Sequence, residues 1–193
     1  MPDIDRSVIE GLRRGEDAAY KAVVDSLLAH VYRFLLRLTG SASLAEDLTQ
    51  ETFLAVWQGI GAFKGEAKFK TWVFGIAYHQ FLRYRDKRVV ETVQLDESRV
   101  QADASNSDEL MMQADESARI RHAIQDLPEM YREVFCLIHL EGLNYREAAQ
   151  VLEMRIGTVK SRMNVAFKLL REKLGEGKVE GNEVREPESL PGW

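Results

Sequence analysis

The stretch from residue 144 to residue 174 constrains the fold of this chain more than any other. Asn144 can cap a short helix, and Glu147, three residues later, can bond back to the capping residue. After a break, Gly157 and Thr158 are predicted to open a second helix, whose apolar residues recur every three or four positions. The opposite face of this second helix is basic. A short helix, a turn and a longer basic helix are typical of the helix-turn-helix, whose second helix enters the DNA major groove.

Charge is distributed unevenly along the 193 residues, which carry a net charge of −5. Residues 60–90 contain seven Lys or Arg against two acids, and residues 154–173 contain six against one. Between these segments, residues 91–117 contain eight acids against one Arg. Because the local field governs contacts with a polyanion more than the net charge does, two basic segments flanking an acidic connector indicate two nucleic-acid contacts.

Length and composition restrict the class of protein. The length allows one or two domains, and no run of about 18 apolar residues predicts a transmembrane helix. The N-terminus lacks the apolar region of a signal peptide, so we expect a cytoplasmic protein without membrane insertion. The single cysteine, Cys136, excludes an internal disulfide, and its apolar surroundings favour a core position over a redox role. Four scattered histidines have no metal-ligand spacing, so we expect no metal site and no cofactor.

Three helices are predicted before residue 61. The first covers residues 4–14, and the second is capped by Asp17 and ends at Gly40. Ser43 and Glu46 have the spacing of a capping box and are predicted to start the third helix. By itself, the polar face of this third helix is typical of a solvated surface. That face carries Glu46, Asp47, Gln50 and Glu51.

Residues 63–88 combine aromatic and cationic side chains. A lysine-rich loop at 63–70 precedes a helix that begins at Thr71, in which aromatic and basic residues are interleaved. Because exposed rings stack on unpaired bases and cations follow the phosphates, this pattern indicates a surface for single-stranded nucleic acid. The alternatives are that Trp72 and Phe74 belong to the hydrophobic core and that the basic residues form a solvated helix end.

The remaining segments complete an all-α prediction. Residues 91–114 lose apolar periodicity and are expected to form a flexible acidic linker. Helices resume at Asp115, and Pro128 is predicted to open a further helix that ends at Gly142. Residues 175–193 are rich in Gly, Pro and Glu and are expected to be a disordered tail.

Three motifs resemble, in their order and separation, the extracytoplasmic-function group of sigma-70 factors, the small initiation subunits of bacterial RNA polymerase. They are AEDLTQETFLAVW at 45–57, FKGEAKFKTW at 63–72 and LNYREAAQVLEMRIGTVKSR at 143–162. The resemblance covers about residues 5–174 and implies two small helical domains joined by a flexible acidic linker. The expected segments are a region 2-like domain at 1–90, the linker at 91–114, a region 4-like helix-turn-helix domain at 115–174 and the tail at 175–193.

The resemblance implies a role for each motif. The first is expected to dock on the coiled coil of the polymerase β′ subunit, through Asp47, Gln50, Glu51 and Phe53. The second motif and the helix after it are expected to capture the melted non-template strand of the −10 element, through Lys64, Lys68, Lys70, Trp72, Tyr78, His79, Arg83, Arg85 and Arg88. The helix-turn-helix is expected to read the −35 element as duplex, through Arg155, Thr158, Lys160, Ser161, Arg162, Lys168 and Arg171.

The sequence departs from the family's usual pattern in three places. Gly75 and His79 stand where members often have Arg and Asn, and residues 164–167 replace a cationic continuation of the recognition helix. Fewer cations there are expected to weaken the electrostatic part of −35 binding. The acidic linker is expected to lie along the active-site and RNA-exit path of the polymerase, where its charge would mimic nucleic acid.

The partners that the resemblance implies are core polymerase, through its β′ and β subunits, promoter DNA and an anti-sigma factor. Two other interpretations stay open: a helix-turn-helix regulator with a ligand-binding or dimerisation domain in residues 1–90, and a helical adaptor that binds only proteins. An enzyme is not supported, because the sequence shows no phosphate loop, no nucleophile motif and no metal cluster. We therefore expect no catalytic residues.

Overall fold

The computed structural model describes residues 4–94 and 113–175, which we call the N-terminal half and the C-terminal half. Neither of these ranges contains a β-strand, and the all-α prediction is confirmed. No helix within them is long and apolar enough to cross a membrane. The helices are α1 (Arg6–Arg13), α2 (Asp17–Thr39), α3 (Ala42–Gly59), α4 (Phe69–Gln94), α5 (Gln113–Gln125), α6 (Glu129–Phe135), α7 (Tyr145–Val151) and α8 (Ile156–Leu174).

Helix α2 is the central element of the N-terminal half. Its apolar stripe is buried against α3 and α4, which removes it from water. Phe34 of α2 packs edge-on against Phe74 of α4, with ring centroids 5.4 Å apart. Phe74 is therefore a core residue, whereas Trp72 is only half-buried and packs on Phe63 and Phe69. This packing fixes the rotation of α4 and therefore the side of the helix on which its basic residues lie.

The helix-turn-helix forms as the sequence predicts. Asn144 Oδ1 accepts a hydrogen bond from the Glu147 N–H at 2.9 Å, and Glu147 Oε2 accepts one from the Asn144 N–H at 2.8 Å. This complete capping box starts α7 and fixes the position of the Glu147 side chain. α8 packs against α6 and α7 through one apolar stripe, which leaves its opposite face to solvent. The stripe consists of Val159, Met163, Ala166 and Leu170.

A π-helical segment, Cys136–Leu140, extends α6 toward the helix-turn-helix. The Glu141 N–H donates to the Cys136 carbonyl, five residues back, at 3.0 Å. Cys136 is fully buried, and burial raises the pKa of its thiol to about 12. The thiol therefore stays protonated near neutral pH, which agrees with the core position expected from the sequence.

The start of α3 differs from the sequence prediction. Its cap is Ser41, whose hydroxyl accepts a hydrogen bond from the Leu44 N–H at 3.4 Å. Gly40 ends α2 in the left-handed conformation, with φ at 68°, so the chain is already extended at the next residue and can cap a new helix there. Ser43 and Glu46 consequently lie inside α3, and the capping box predicted for them is wrong.

Other boundaries differ by smaller amounts. Asp17 is the first residue of α2 and not its cap, and α8 begins at Ile156, one residue before the predicted opening. Helix α4 continues to Gln94, beyond the predicted end of the first domain at residue 90. Most of the predicted linker and nearly all of the predicted tail lie outside the described residues, so both stay predictions.

The two halves pack directly against each other. α4 lies alongside α7, and α2 contacts α5, α6 and the π-helical segment. His30 Nδ1 of α2 lies 2.6 Å from Glu141 Oε2, an oxygen of a buried carboxylate. Sequence reasoning treated the two basic segments as separate modules, so this junction was not expected. It places one side of α4 against the helix-turn-helix.

Candidate nucleic-acid interface

Helix α8 presents a basic face to solvent, because its apolar stripe points into the C-terminal half. In its first turn, Thr158 is half-buried, and Ser161 Oγ donates to the Thr158 carbonyl at 3.0 Å. Lys160 Nζ lies 6.0 Å from the centroid of the Tyr145 ring, at the limit of a cation–π contact. The exposed members of the predicted −35 set, which we call the duplex surface, are Arg155, Lys160, Ser161, Lys168 and Arg171.

Arg162 differs from the rest of the predicted −35 set. It is half-buried at the edge of the apolar stripe, and its positive charge acts on the Glu133 carboxyl of α6. Phe167, which lies in the stretch that departs from the family pattern, is also half-buried. Its ring packs against Phe135 and His139, with centroids 5.9 and 4.8 Å away. Phe167 therefore stabilises the packing of α8.

A cleft of about 450 Å³ opens between α1 and the loop that precedes α4. Phe63 and Phe69 line it, and with Trp72 they form a cluster whose ring centroids are 5.1 to 5.6 Å apart. Arg13 Nη2 of α1 donates to the Phe63 carbonyl at 2.5 Å and ties the loop to α1. Lys64 is exposed and also lines the cleft. The site thus combines aromatic walls with a cation.

One side of α4 and its preceding loop, which we call the strand surface, faces the C-terminal half. Two of its cations form ion pairs across the junction. Lys68 Nζ lies 2.8 Å from Glu147 Oε1, and Arg85 Nη1 lies 2.8 Å from Glu129 Oε1. The strand surface consists of Lys68, Lys70, Tyr78, His79 and Arg85, which are five of the residues predicted to bind the −10 strand.

The other three members of the strand surface also meet oxygen atoms of the C-terminal half. Tyr78 is only 6% exposed, and its hydroxyl donates to Glu133 Oε1 at 3.0 Å. His79 Nε2 lies 3.1 Å from Glu153 Oε1. The Lys70 ammonium donates to a backbone carbonyl immediately after the π-helical segment. Every member of this surface is therefore engaged by the C-terminal half.

The remaining predicted −10 residues lie away from the junction. Lys64, Arg83 and Arg88 are exposed, and Arg88 Nη1 donates to the Tyr84 hydroxyl at 3.4 Å. Trp72 belongs to the ring cluster beside the cleft. The structure thus divides the predicted set between residues that contact the C-terminal half and residues for which no such contact is described.

The pKa values at the junction follow from this packing. Burial raises the pKa of the Glu133 carboxyl, although the hydrogen bond from Tyr78 opposes the shift. Burial also raises the pKa of Tyr78 well above its ordinary value, and the Glu133 charge adds to this. Partial burial acts to raise the pKa of Glu147, but hydrogen bonds from Lys68 and the Asn144 N–H outweigh it and bring the pKa below its usual value. Glu147 is therefore held in its ionised form.

Helix α3 carries a separate, acidic exposed face. Asp47, Gln50 and Glu51 share it, and Leu54 continues it with 54% of its surface exposed. Phe53, which the resemblance placed in the same docking set, is 3% exposed. Its position falls on the apolar side of α3, so the ring lies in the core and its assignment to the docking surface is corrected.

Sequence reasoning missed the residues that cover the strand surface. We call them the carboxylate row: Glu129, Glu133, Glu147 and Glu153. They lie on α6, on α7 and in the turn before α8, and no local pattern marks them as partners of α4, because tertiary packing alone brings them to it. Arg13 was also missed, although a basic residue at the end of an amphipathic helix was a visible signal.

Family models describe both halves of the chain. Residues 23–89 match Sigma-70 region 2, and residues 117–170 match Sigma-70, region 4. The first match contains α3, the loop beside the cleft and the strand surface. The second contains the carboxylate row and all of the duplex surface except Arg171.

Curated relatives match most of the chain. The RNA polymerase sigma-H factor of Pseudomonas aeruginosa is 27% identical over 82% of this chain and 88% of its own length. The ECF RNA polymerase sigma factor SigE of Mycolicibacterium smegmatis is 32% identical over 84% of this chain and 65% of its own length. SigW of Bacillus subtilis, another ECF sigma factor, is 28% identical over 86% of this chain and 94% of its own length.

Solved structures share the fold. The sigma factor RpoE of Bartonella quintana, in complex with the anti-sigma factor NepR, has a TM-score of 0.63 and 26% identity over 82% of this chain and 98% of that chain. CnrH, in complex with the cytosolic domain of CnrY, has a TM-score of 0.67 at 22% identity over 91% of this chain and 100% of that chain. The chain therefore belongs to the extracytoplasmic-function group of the sigma-70 family, and it is a sigma factor that binds core RNA polymerase and directs promoter-specific transcription.

Proposed function

We propose that this sigma factor uses three surfaces, one to bind core polymerase and two to bind promoter DNA. The exposed face of α3 docks on the coiled coil of the polymerase β′ subunit through Asp47, Gln50 and Glu51. The strand surface and the cleft beside α1 take up the melted non-template strand of the −10 element. The duplex surface reads the −35 element before melting. Residues 1–90 and 115–174 act as the two DNA-binding domains, and residues 91–114 connect them.

The observation that carries this proposal is the exposed face of α8. The capping box fixes α7, and the apolar stripe fixes the rotation of α8, so Lys160, Lys168 and Arg171 face outward from one helix. Such a helix supplies phosphate contacts that set its register in the groove. Each bidentate base contact adds about 1–3 kcal/mol of discrimination against the wrong base. Arg162 is less available than these residues because it is half-buried.

The cleft beside α1 supports the assignment of the −10 element. Its volume of about 450 Å³ lies within the range of small-molecule sites, and its aromatic lining suits an extruded base. Phe63 and Phe69 are 6% and 2% exposed, so they form an apolar floor to the cleft and offer a base only a small contact area. Lys64, on the same cleft, is available for a neighbouring phosphate. Arg13 joins the loop to α1 at one side of the cleft.

Binding to core polymerase links the −10 contact and the −35 contact. Two weak DNA contacts become one bivalent contact when the enzyme fixes the distance between them. Sigma factors are initiation factors, and we assign this chain no reaction of its own, since polymerase performs the chemistry. Its site of action is accordingly the cytoplasm. An anti-sigma factor is a further proposed partner, because the similar sigma factor of B. quintana was solved with one.

Transcription in vitro with purified core polymerase and a library of random promoters tests this proposal. We expect the chain to enrich templates that carry two conserved elements, one read as duplex and one in the melted segment. The same chain without polymerase should bind the enriched templates weakly. Absence of promoter-specific transcripts, or tight operator binding without polymerase, would contradict the proposal.

A further inference from the structure

The outward side of α8 carries a residue to which no role has yet been assigned. The apolar stripe of α8 points into the C-terminal half, and an α-helix turns by about 100° per residue. Positions 157, 161, 164 and 168 therefore lie on one line along the side opposite to the stripe. Ser161 and Lys168 belong to the duplex surface, and Asn164 lies between them. Asn164 is therefore part of the same outward surface.

The side chain of Asn164 is exposed, and it has no hydrogen-bond partner among residues 4–94 and 113–175. Asparagine is one of the poorer helix formers, because its amide competes for the hydrogen bonds of the backbone. An exposed asparagine in the third turn of a 19-residue helix therefore contributes nothing to folding. Its amide is available to an external ligand.

The amide of Asn164 differs chemically from the other polar groups on this surface. The ammonium groups of Lys160 and Lys168 only donate, so they suit phosphates or the two acceptors of guanine. The Ser161 hydroxyl already donates to the Thr158 carbonyl at 3.0 Å. Asn164 presents a donor and an acceptor side by side. This pair matches the N7 acceptor and the N6 amino group that adenine presents in the major groove.

We propose that Asn164 reads an adenine in the major groove of the −35 element and sets the base preference of this sigma factor at that position. This inference rests on the proposed assignment of α8 to the −35 element. Phosphate contacts position a protein on DNA but carry no sequence information, so the cations of the duplex surface alone do not select an adenine. Lys160 and Lys168 lie one turn before and one turn after Asn164 and can fix the register that brings its amide to the base edge.

Gly157 supports a close approach of DNA to this side of α8. It lies on the same line in the first turn, and a Cβ added there would stand in open space among the described residues. Packing therefore does not require a glycine at this position, although a glycine weakens a helix. The missing side chain lets the DNA backbone come close to the first turn of α8. Asn164, on the same line, is then turned toward the bases.

The test is transcription in vitro by core polymerase with the wild-type or a variant sigma factor, on promoters whose −35 element is randomised. With the wild type, we expect one −35 position at which adenine exceeds every other base by about tenfold. N164A should lose this preference and keep those at the −10 element and at the other −35 positions. N164R should favour guanine at the same position, because arginine binds O6 and N7 of guanine. Alanine and arginine are better helix formers than asparagine, so neither variant should weaken α8.

Q150A is the matched control. Gln150 is an exposed amide on α7, the helix that crosses the DNA backbone in a helix-turn-helix. A phosphate contact from that helix affects all sequences alike, so Q150A should keep the adenine preference. Loss of the preference in both Q150A and N164A would overturn the inference. An N164R variant that still favours adenine at this position would overturn it as well.

Failure of the inference can be told from failure of the proposed function. If N164A keeps the base preferences of the wild type and transcription still depends on the −35 element, only the role of Asn164 is wrong. If the wild type shows no base preference at any −35 position, the assignment of α8 is wrong. In that case the inference is overturned with it.

Discussion

The strand surface on α4 and the duplex surface on α8 are both basic, but the free chain presents them differently. The strand surface faces the carboxylate row, with two ion pairs at 2.8 Å, whereas the cations of the duplex surface are exposed. The donors of the strand surface therefore find acceptors in the C-terminal half, whereas the cations of the duplex surface are exposed to solvent. Equal local charge does not mean equal availability, because packing decides which cations a polyanion can reach.

The ion pairs of the junction are weak by themselves. An exposed ion pair contributes between zero and about 1 kcal/mol, so the two pairs together add at most about 2 kcal/mol. The packing of α2 against α5, α6 and the π-helical segment also holds the two halves together.

The largest expected effect comes from the exposed surface. Replacing Lys160, Lys168 and Arg171 together by alanine removes three cations from α8 without touching its apolar stripe. We expect transcription from −35-dependent promoters to fall about a hundredfold, and the slope of log affinity against log salt to decrease by about 3. Transcription assays and salt titrations measure both effects. The radius of gyration should not change, because these residues take no part in the described contacts between the two halves.

A control for that experiment removes cations elsewhere. R14A/K21A changes two exposed residues that pair only locally, with Glu16 and Asp25 among the contacts described. It should leave −35 recognition intact. A comparable loss in the control, or full activity of the α8 variant, would show that α8 does not read the duplex.

A second, smaller effect is expected on α3. D47N/E51Q removes two exposed charges from the face proposed to dock on polymerase. We expect affinity for core polymerase to fall about tenfold, which corresponds to about 1.4 kcal/mol. Binding of the free chain to single-stranded DNA should stay as weak as in the wild type, because these acids do not cover the strand surface. A variant with unchanged polymerase affinity would contradict the docking assignment.

The third effect concerns the helix cap that positions Glu147, one member of the carboxylate row. N144A removes the side chain that accepts the Glu147 N–H at 2.9 Å. We expect the free energy of unfolding to fall by about 1 kcal/mol, measured by urea denaturation, because cap residues contribute about this much. N144D retains an acceptor and should lose only a small part of that stability. If N144A and N144D were equally destabilised, the cap would not be the cause.

The smallest effect is a dependence on pH. Burial raises the folded-state pKa of Glu133 above its ordinary value of 4.5, and the negative charge of Glu129 raises it further. The hydrogen bond from Tyr78 and the positive charges of Arg162 and Arg85 oppose this shift but do not cancel it. The stability that protonation gives is complete below pH 4.5 and is lost as pH rises through the folded-state pKa. The side chain of E133Q stays neutral, so its free energy of unfolding at neutral pH should exceed that of the wild type by less than about 1 kcal/mol. The difference should vanish below pH 4.5, and its persistence there would contradict this cause.

The local features of the fold could be predicted from the sequence, and the junction could not. The Asn144–Glu147 box and the apolar stripe of α8 depend on spacing within one or two turns, so pattern reasoning finds them. The capping box predicted at Ser43 was wrong because the same short pattern also occurs inside helices. Only the conformation of Gly40 shows that α3 begins earlier, after Ser41.

The candidate site shows the same division. The residue types and order of the basic segments indicated two nucleic-acid contacts, and the resemblance added their targets. The pairing of Arg85 with Glu129 joins residues 44 positions apart and depends on the packing of α4 against the C-terminal half. Nothing in the local sequence of either residue indicates the other. Phe53 was misplaced because a motif match does not show which face of α3 is buried.

The most direct test of the central claim is the rate at which individual lysines react with an acetylating reagent, followed by mass spectrometry. In the free chain, we expect the half-buried Lys70 to react slowly and Lys160 and Lys168 to react fast. Equal rates at all three lysines would contradict the account.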